Sequence, residues 1–419
     1  MKKIVLLSTM LLNLNVLVQA QEKSFEELAV LFEQKNYFKL KERYTLNKKG
    51  YSKTQQKFIE AILDNAFNKL KESNNKIDQL TKTRTGLNDF LLLKLYQIKE
   101  DNAIKLFNYK EAKIALETIL RNYKRLLSEN KIKETTNSLK IWTALEDAPK
   151  QRVHIKETNR LTITKDIAGL NNLKVHHKKD TVDFIFDTGA NLSTVPYTTA
   201  KKLNMKIISV DVEVGTATGE KAPAQIAICP AFTLGSIEIQ NAIFLVFKDS
   251  SLFFPQINFQ IHGILGFPVI AALREIQITR DGYFIVPKKE TSVNSASNMA
   301  MDGLTPLINI EGKHYTFDTG ADNTMLYSNY YTENKIRIDE KYEPTKVHFA
   351  GAAGKKVFDG YIITQDFKIS DKKVTLSNID LLKEKIKDDE TVYGNIGQDL
   401  IKQFSKMTLN FDKMFIKFN

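Results

Sequence analysis

From Ser24 to about Leu145, apolar residues return every three or four positions, the spacing that gathers them on one face of a helix. Ile59, Ile62, Leu63, Ala66, Phe67 and Leu70 make one such face, and Ala112, Ala115, Ile119, Tyr123 and Leu126 another. No proline falls between Glu22 and Ala148, as packed helices require, because proline removes a backbone donor and clashes with the preceding turn. Helical hairpins are therefore predicted for residues 21–150. Two segments within them resemble each other, Leu31-Phe32…Asn36-Tyr37-Phe38-Lys39 and Leu106-Phe107-Asn108-Tyr109-Lys110. Their tyrosines stand 72 residues apart, near two periods of a tetratricopeptide-type hairpin of roughly 34–36 residues.

After Pro149 the pattern changes to strand-like alternation, β-branched residues and turn punctuation, which continues to the end of the sequence. A polar, small-residue stretch from Thr291 to Asn298 divides this part. The predicted organisation is a helical domain at 21–150, a first β-rich half at 151–290, a linker at 291–302 and a second β-rich half at 303–419. For 419 residues at about 150 residues per domain, two to three domains are expected.

Composition narrows the function classes. Residues 2–20 run from Lys2-Lys3 through a mostly apolar stretch to Val18-Gln19-Ala20, the layout of a cleaved export signal over 1–20. An exported, periplasmic or secreted protein without a membrane span is expected. The net charge is +12, and residues 21–150 carry +8 of it, with 26 Lys/Arg against 18 Asp/Glu. Acids are interleaved with these bases, which describes solvated helix faces and not a nucleic-acid surface. Cys229 is the only cysteine and the six histidines lack ligand spacing, so neither a disulfide framework, a metal site nor a cofactor is predicted.

The chemistry lies in a pair of matching segments. Phe184-Ile185-Phe186-Asp187-Thr188-Gly189-Ala190 and Tyr315-Thr316-Phe317-Asp318-Thr319-Gly320-Ala321 each set an Asp-Thr-Gly-Ala loop at the end of an apolar strand. Asp187 precedes Gly266 of Ile264-Leu265-Gly266 by 79 residues, and Asp318 precedes Gly397 of Asn395-Ile396-Gly397 by the same 79. Between these landmarks each copy has a glycine-rich hairpin, Gly215-Thr216-Ala217-Thr218-Gly219 and Gly351-Ala352-Ala353-Gly354. A phosphate-binding loop is excluded, since it needs four residues between its glycines followed by Lys-Ser/Thr. Such matching spacing reads as an internal duplication.

Two carboxylates about 3 Å apart cannot both ionise, so the pair retains one proton. The ionised member can then take a proton from water while the protonated one polarises a carbonyl, which is general acid/base hydrolysis without a metal. These residues resemble the retropepsin-type aspartic proteases over about 160–419, twice in one chain as in the pepsins. The resemblance implies a duplicated closed β-barrel behind the helical part, hence a multidomain α plus all-β protein. It also implies that Asp187 and Asp318 are the catalytic pair, supported by Thr188, Gly189, Ala190, Thr319, Gly320 and Ala321. Gly215, Thr216, Gly219, Gly351, Ala352 and Gly354 correspond to flaps, and Asn191 and Asp322 to substrate contacts.

Alanine at 190 and 321 takes the place of hydroxyl residues that hydrogen-bond the outer carboxyl oxygens in pepsin-type enzymes. Higher apparent pKa values and activity at mildly acidic to near-neutral pH are expected as a result. The expected function is an exported aspartic endopeptidase acting on peptide or protein substrates. It would work as a monomer with an internal pseudo-dimer, and the helical domain would bind a protein partner. Three other arrangements stay open at this level: a secreted, non-catalytic peptide-binding scaffold, a helical half that is an inhibitory prosegment, and pairing of each repeat with its copy in a second chain.

Overall fold

The computed structural model describes residues 24–215, 221–292, 297–351, 354–369 and 371–419; the signal assigned to 1–20 lies outside them. Residues 24–33 form a first helix, α1. It is followed by α2 (Tyr37–Asn47), α3 (Lys53–Ala66), α4 (Leu70–Thr83), α5 (Asp89–Lys105), α6 (Tyr109–Asn122) and α7 (Glu129–Ala144). Local chemistry sets several starts. Ser52 and Gln55 form a reciprocal capping box on α3, and Asn88 and Ser128 accept from backbone N–H groups of α5 and α7, satisfying donors that have no partner inside the helix.

The apolar face read over Ile59–Leu70 is divided between two helices. α3 ends at Ala66, Asn68 turns left-handed at φ 59°, and α4 begins at Leu70. All six residues of that face are nonetheless buried. Lys35 and Phe107 adopt the same left-handed turn. In each of the three, the next N–H reaches back five residues, from Asn36 to Leu31, Lys69 to Asp64 and Asn108 to Ala103, as in a helix-ending Schellman turn. Leu126, assigned to the apolar face of α6, is exposed because that helix stops at Asn122. Trp142 of α7 stacks on Tyr109 of α6, with ring centres 5.7 Å apart, and its indole N–H donates to Glu100.

The rest of the chain is β-rich. In its first part the pairings run round in a ring through the strands Asn171–His177, Asp180–Phe186, Ile264–Leu265, Ser193–Pro196, Ile237–Phe247 and Lys221–Leu234. An eight-stranded sheet forms the second part, and its pairings do not return on themselves among the described residues. Local order is nevertheless shared. Asp180–Phe186 lies parallel to Ile264–Leu265, and Lys313–Phe317 lies parallel to Gly394–Ile396. Each short strand is flanked antiparallel by the strand that follows the Asp-Thr-Gly-Ala loop, Ser193–Pro196 or Met325–Leu326.

A separate five-stranded sheet joins the two parts. Glu275–Thr279 pairs antiparallel with Lys406–Asn410, and the outer strands are Asn159–Thr162, Tyr283–Val286 and Phe415–Phe418. Within it the fully buried Glu275 carboxylate accepts from Thr291 and Asn410, as a buried charge must. Met299–Asp302, in the stretch read as linker, is a strand paired with Thr305–Ile310, and its two methionines and Ala300 are buried. Apolar packing is continuous from the helices through both β-rich parts. Cys229 is free and buried, and burial pushes its thiol up to about 12.

Candidate active site

Each Asp-Thr-Gly-Ala loop begins where a buried strand ends. Phe184, Ile185 and Phe186 lead to Asp187, and Tyr315 and Phe317 flank Thr316 on the way to Asp318. The aspartate backbone still belongs to the sheet: Asp187 N–H donates to Leu265 O at 3.1 Å, and Asp318 N–H to Ile396 O at 3.0 Å. The chain then turns so that the two N–H groups behind each aspartate fold back on its carboxylate. Gly189 and Ala190 donate to Asp187 Oδ1 at 2.8 and 3.1 Å, and Gly320 and Ala321 to Asp318 Oδ1 at the same two distances.

The threonines lock the loops together. Thr188 Oγ1 donates to Phe317 O at 2.7 Å and accepts from Thr319 N–H at 3.0 Å. Thr319 Oγ1 donates to Phe186 O at 3.0 Å and accepts from Thr188 N–H at 3.1 Å. All four bonds are buried, and each exchanges with another when the two loops are interchanged. Thr188 and Thr319, 0% and 1% exposed, thus hold two distant segments in one register through four bonds shielded from water.

The carboxyls meet across this lock. Each loop sets its glycine against the opposite carboxyl. A Cβ placed on Gly189 would come 2.7 Å from Asp318 Cγ, and one on Gly320 would come 2.3 Å from Asp187 Cγ. Only glycine leaves room for that approach. Burial, and then the charge and hydrogen bond of Asp318, hold Asp187 well above the usual aspartate range, the behaviour of two acids in one place.

The flanking motif glycines close the back of the site. A Cβ at Gly266 would lie 2.6 Å from the Leu192 backbone, and one at Gly397 would lie 2.6 Å from that of Asn323. Their N–H groups donate to the Ser193 and Thr324 hydroxyls. Phe267 and Gln398, which follow them, donate backbone N–H to Ala190 O and Ala321 O. The equal 79-residue intervals in the sequence therefore correspond to equal contacts in space.

The two sides differ in polarity. On the second side, Asn395 Nδ2 donates to Asp318 Oδ2 at 3.0 Å, while its Oδ1 accepts from Thr316 Oγ1 at 2.5 Å. The buried Gln398 amide donates to Thr319 O at 2.9 Å. Ile264, Ile185 and Phe267 occupy the corresponding places on the first side and are buried. The alanines at 190 and 321 do leave the outer carboxyl oxygens without a loop hydroxyl, but Asn395 supplies a donor to one of them. Sequence reasoning passed over Asn395 and Thr316; the available signal was a polar residue at 395 where the first copy has Ile264.

Other anticipated site residues are distributed as follows. Asn191 accepts from the Thr305 hydroxyl at 3.1 Å, and Asp322 is paired with Lys402 at 2.8 Å. Gly215 closes the paired part of one hairpin opposite Lys221, and Gly351 faces Gly354 in the other. Thr216, Gly219 and Ala352 lie outside the described residues. No group of three or more metal-binding side chains converges among the described residues, and none of their helices is long and apolar enough to cross a membrane.

An aspartyl protease family model matches residues 172–269, the segment that carries Asp187, the first hairpin and Gly266. No curated protein matches the chain.

Proposed function

We propose that this chain is an exported aspartic endopeptidase in which Asp187 and Asp318 form one catalytic pair within a single polypeptide. One observation carries the reading: the reciprocal Thr188–Thr319 lock, which holds the two aspartate-bearing loops together with each glycine against the opposite carboxyl. The aspartyl protease match over 172–269 supports the activity class from the first half, and the equivalent contacts around 318–321 extend it to the second. We read the two β-rich parts as duplicated halves of one barrel-type protease fold, with the hairpins at 206–234 and 345–369 as flaps over the cleft.

With one proton on the pair, the ionised carboxylate takes a proton from a water molecule as its oxygen attacks the peptide carbonyl. The protonated carboxyl gives its proton to the carbonyl oxygen, leaving a tetrahedral diol. Collapse of that diol transfers a proton to the amide nitrogen, breaks the C–N bond, and returns the pair to its singly protonated state. The net reaction is peptide plus water to acid plus amine. Asn191 and Asp322, near the loop ends, are assigned to the substrate backbone, and the helical part to a protein partner.

The test is hydrolysis of a mixed peptide library by residues 21–419 between pH 3 and 8, with Asp187→Asn and Asp318→Asn alongside and with a statine-type inhibitor. Each substitution is expected to lower kcat by roughly 10²–10⁴-fold. Cleavage that survives both substitutions would remove the assignment. The proposed export is checked by the N-terminus of protein recovered from cells, expected at Gln21.

A further inference from the structure

The two aspartates share their loop geometry but not their surroundings. Asp187 receives the N–H groups of Gly189 and Ala190, and the side chains at the adjoining register positions are Ile185 and Ile264, 3% and 8% exposed. Asp318 receives the matching pair from Gly320 and Ala321 and, in addition, the Asn395 amide on its outer oxygen. Thr316 and Asn395 stand in the same parallel pairing that Ile185 and Ile264 occupy on the other side. A polar pair thus stands on the second side where the first side has an apolar pair.

We infer that Asn395, oriented by Thr316, is a positioning residue that places the negative charge on Asp318 and the shared proton on Asp187. This rests on the proteolytic reading only for its consequence in catalysis. The physical argument begins with the amide. Thr316 Oγ1 has two acceptors in reach, Asn395 Oδ1 at 2.5 Å and Gly394 O at 3.2 Å. Donation to the nearer one turns Asn395 Nδ2 toward Asp318 Oδ2. A donor aimed at a carboxylate oxygen favours the ionised form, because the charged acceptor makes the stronger bond.

Asp187, with apolar neighbours in those positions, has no corresponding side-chain donor among the described residues and keeps the proton. The other titratable group facing the second side is the Tyr327 phenol. It is held above its ordinary value by burial and by the Asp318 charge. It therefore stays neutral throughout the working range and adds no charge of its own. Glu390, which also acts on Tyr327, is tied to Ser328 Oγ and to the Ile386 N–H.

The roles of the two acids follow. Asp318 is the base that accepts the proton of the attacking water, and Asp187 is the acid that protonates the carbonyl oxygen. The difference comes from a single amide, on the Asp318 side.

The experiment combines two readouts on the full mature chain. The first is the carbon-13 carboxyl titration of Asp187 and Asp318 without substrate, assigned with Asp187→Asn and Asp318→Asn. The second is the pH dependence of kcat/KM. Asn395→Ile, which installs the first side's residue, is expected to raise the lower titration step by about one pH unit, the size of one lost hydrogen bond to a charge. The acidic limb of kcat/KM should move up by the same amount, so that activity below that limb falls about tenfold. Thr316→Val keeps the amide but frees its orientation and should move both readouts in the same direction by less. It also serves if Asn395→Ile does not fold.

The inference is overturned if the lower step belongs to Asp187, or if neither substitution shifts it. Shifted carboxyl steps without peptide cleavage would retain the proton placement and remove the protease reading. Cleavage with unshifted steps would do the reverse.

Discussion

Gly189 and Gly320 show how little tolerance the paired loops have. A methyl group at either would meet the opposite aspartate, at 2.7 Å from one side and 2.3 Å from the other, inside any normal carbon contact. Gly320→Ala is therefore expected to lower kcat more than Gly189→Ala, with the circular dichroism spectrum of both unchanged. Thr188→Val would leave Phe317 O and the Thr319 N–H without their buried partner. A loss of about 1–3 kcal/mol is expected for this substitution, with most of it recovered in Thr188→Ser, as measured by urea unfolding. The elevated pKa of Asp187 sets a third expectation. A carboxyl whose folded pKa lies above its unfolded value of about 3.9 stabilises the fold while protonated and loses that contribution as pH rises toward the folded pKa. Asp187→Asn, neutral at every pH, should therefore melt higher than wild type near neutrality, and the difference should vanish below about pH 3.9. At this scale the Asp-Thr-Gly-Ala loops could be singled out because the motif occurs twice, each time 79 residues before a matching glycine. Asn395 gave only a faint signal, a polar residue where the first side has Ile264, since the sequence does not show that it lies beside Thr316 in a parallel pairing of positions 79 residues apart.

Among the elements, helix boundaries were less legible than helix faces. The periodicity from Ile59 to Leu70 is real in burial, yet Asn68 breaks it, because asparagine enters the left-handed region at small cost and its amide then reaches Phe411 O at 2.9 Å. That second contact belongs to the turn after Lys406–Asn410, more than three hundred residues away, which no local pattern contains. The turn at Asn68 also repeats the turns at Lys35 and Phe107 in geometry while sharing little of their sequence, which is why the likeness of the Tyr37 and Tyr109 segments shows no middle copy. α7 makes a different kind of contact. Asn137 offers Oδ1 to the Glu213 N–H and Nδ2 to Glu213 O, at 2.8 and 2.7 Å, so one side chain acts as an extra strand residue on the edge of Lys206–Gly215. Asn137→Ala is expected to speed amide exchange in 206–215 by roughly five- to tenfold, the equivalent of about one hydrogen bond. Thr345–Gly351, which α7 does not clasp in this way, should be unaffected when exchange is followed by mass spectrometry.

For the molecule as a whole, the helices are bound to the β-rich parts at several separate points. Lys35 pairs with Asp302 at 2.7 Å and the Tyr37 hydroxyl donates to the same carboxylate. His314 bonds Gln34 O, and Lys131 reaches Asp389 at 3.1 Å. Apolar packing is continuous between them. One cooperative transition is therefore expected in scanning calorimetry of residues 21–419. Removing 21–150 should destabilise the remainder instead of activating it, and activation on truncation would restore the prosegment reading. The joining sheet adds a property of another kind. Glu275 stands opposite Asn410, and Asp187 has no partner until Asp318 is present and its strand is seated. A ribosome emits the first aspartate well over a hundred residues before the second, and the strand that clamps the two parts later still. Throughout that interval the nascent chain carries one of the two aspartates without the other. For the proposed hydrolytic pair, competence would arrive in one step near the end of synthesis, as a consequence of where the strands fall in the reading order.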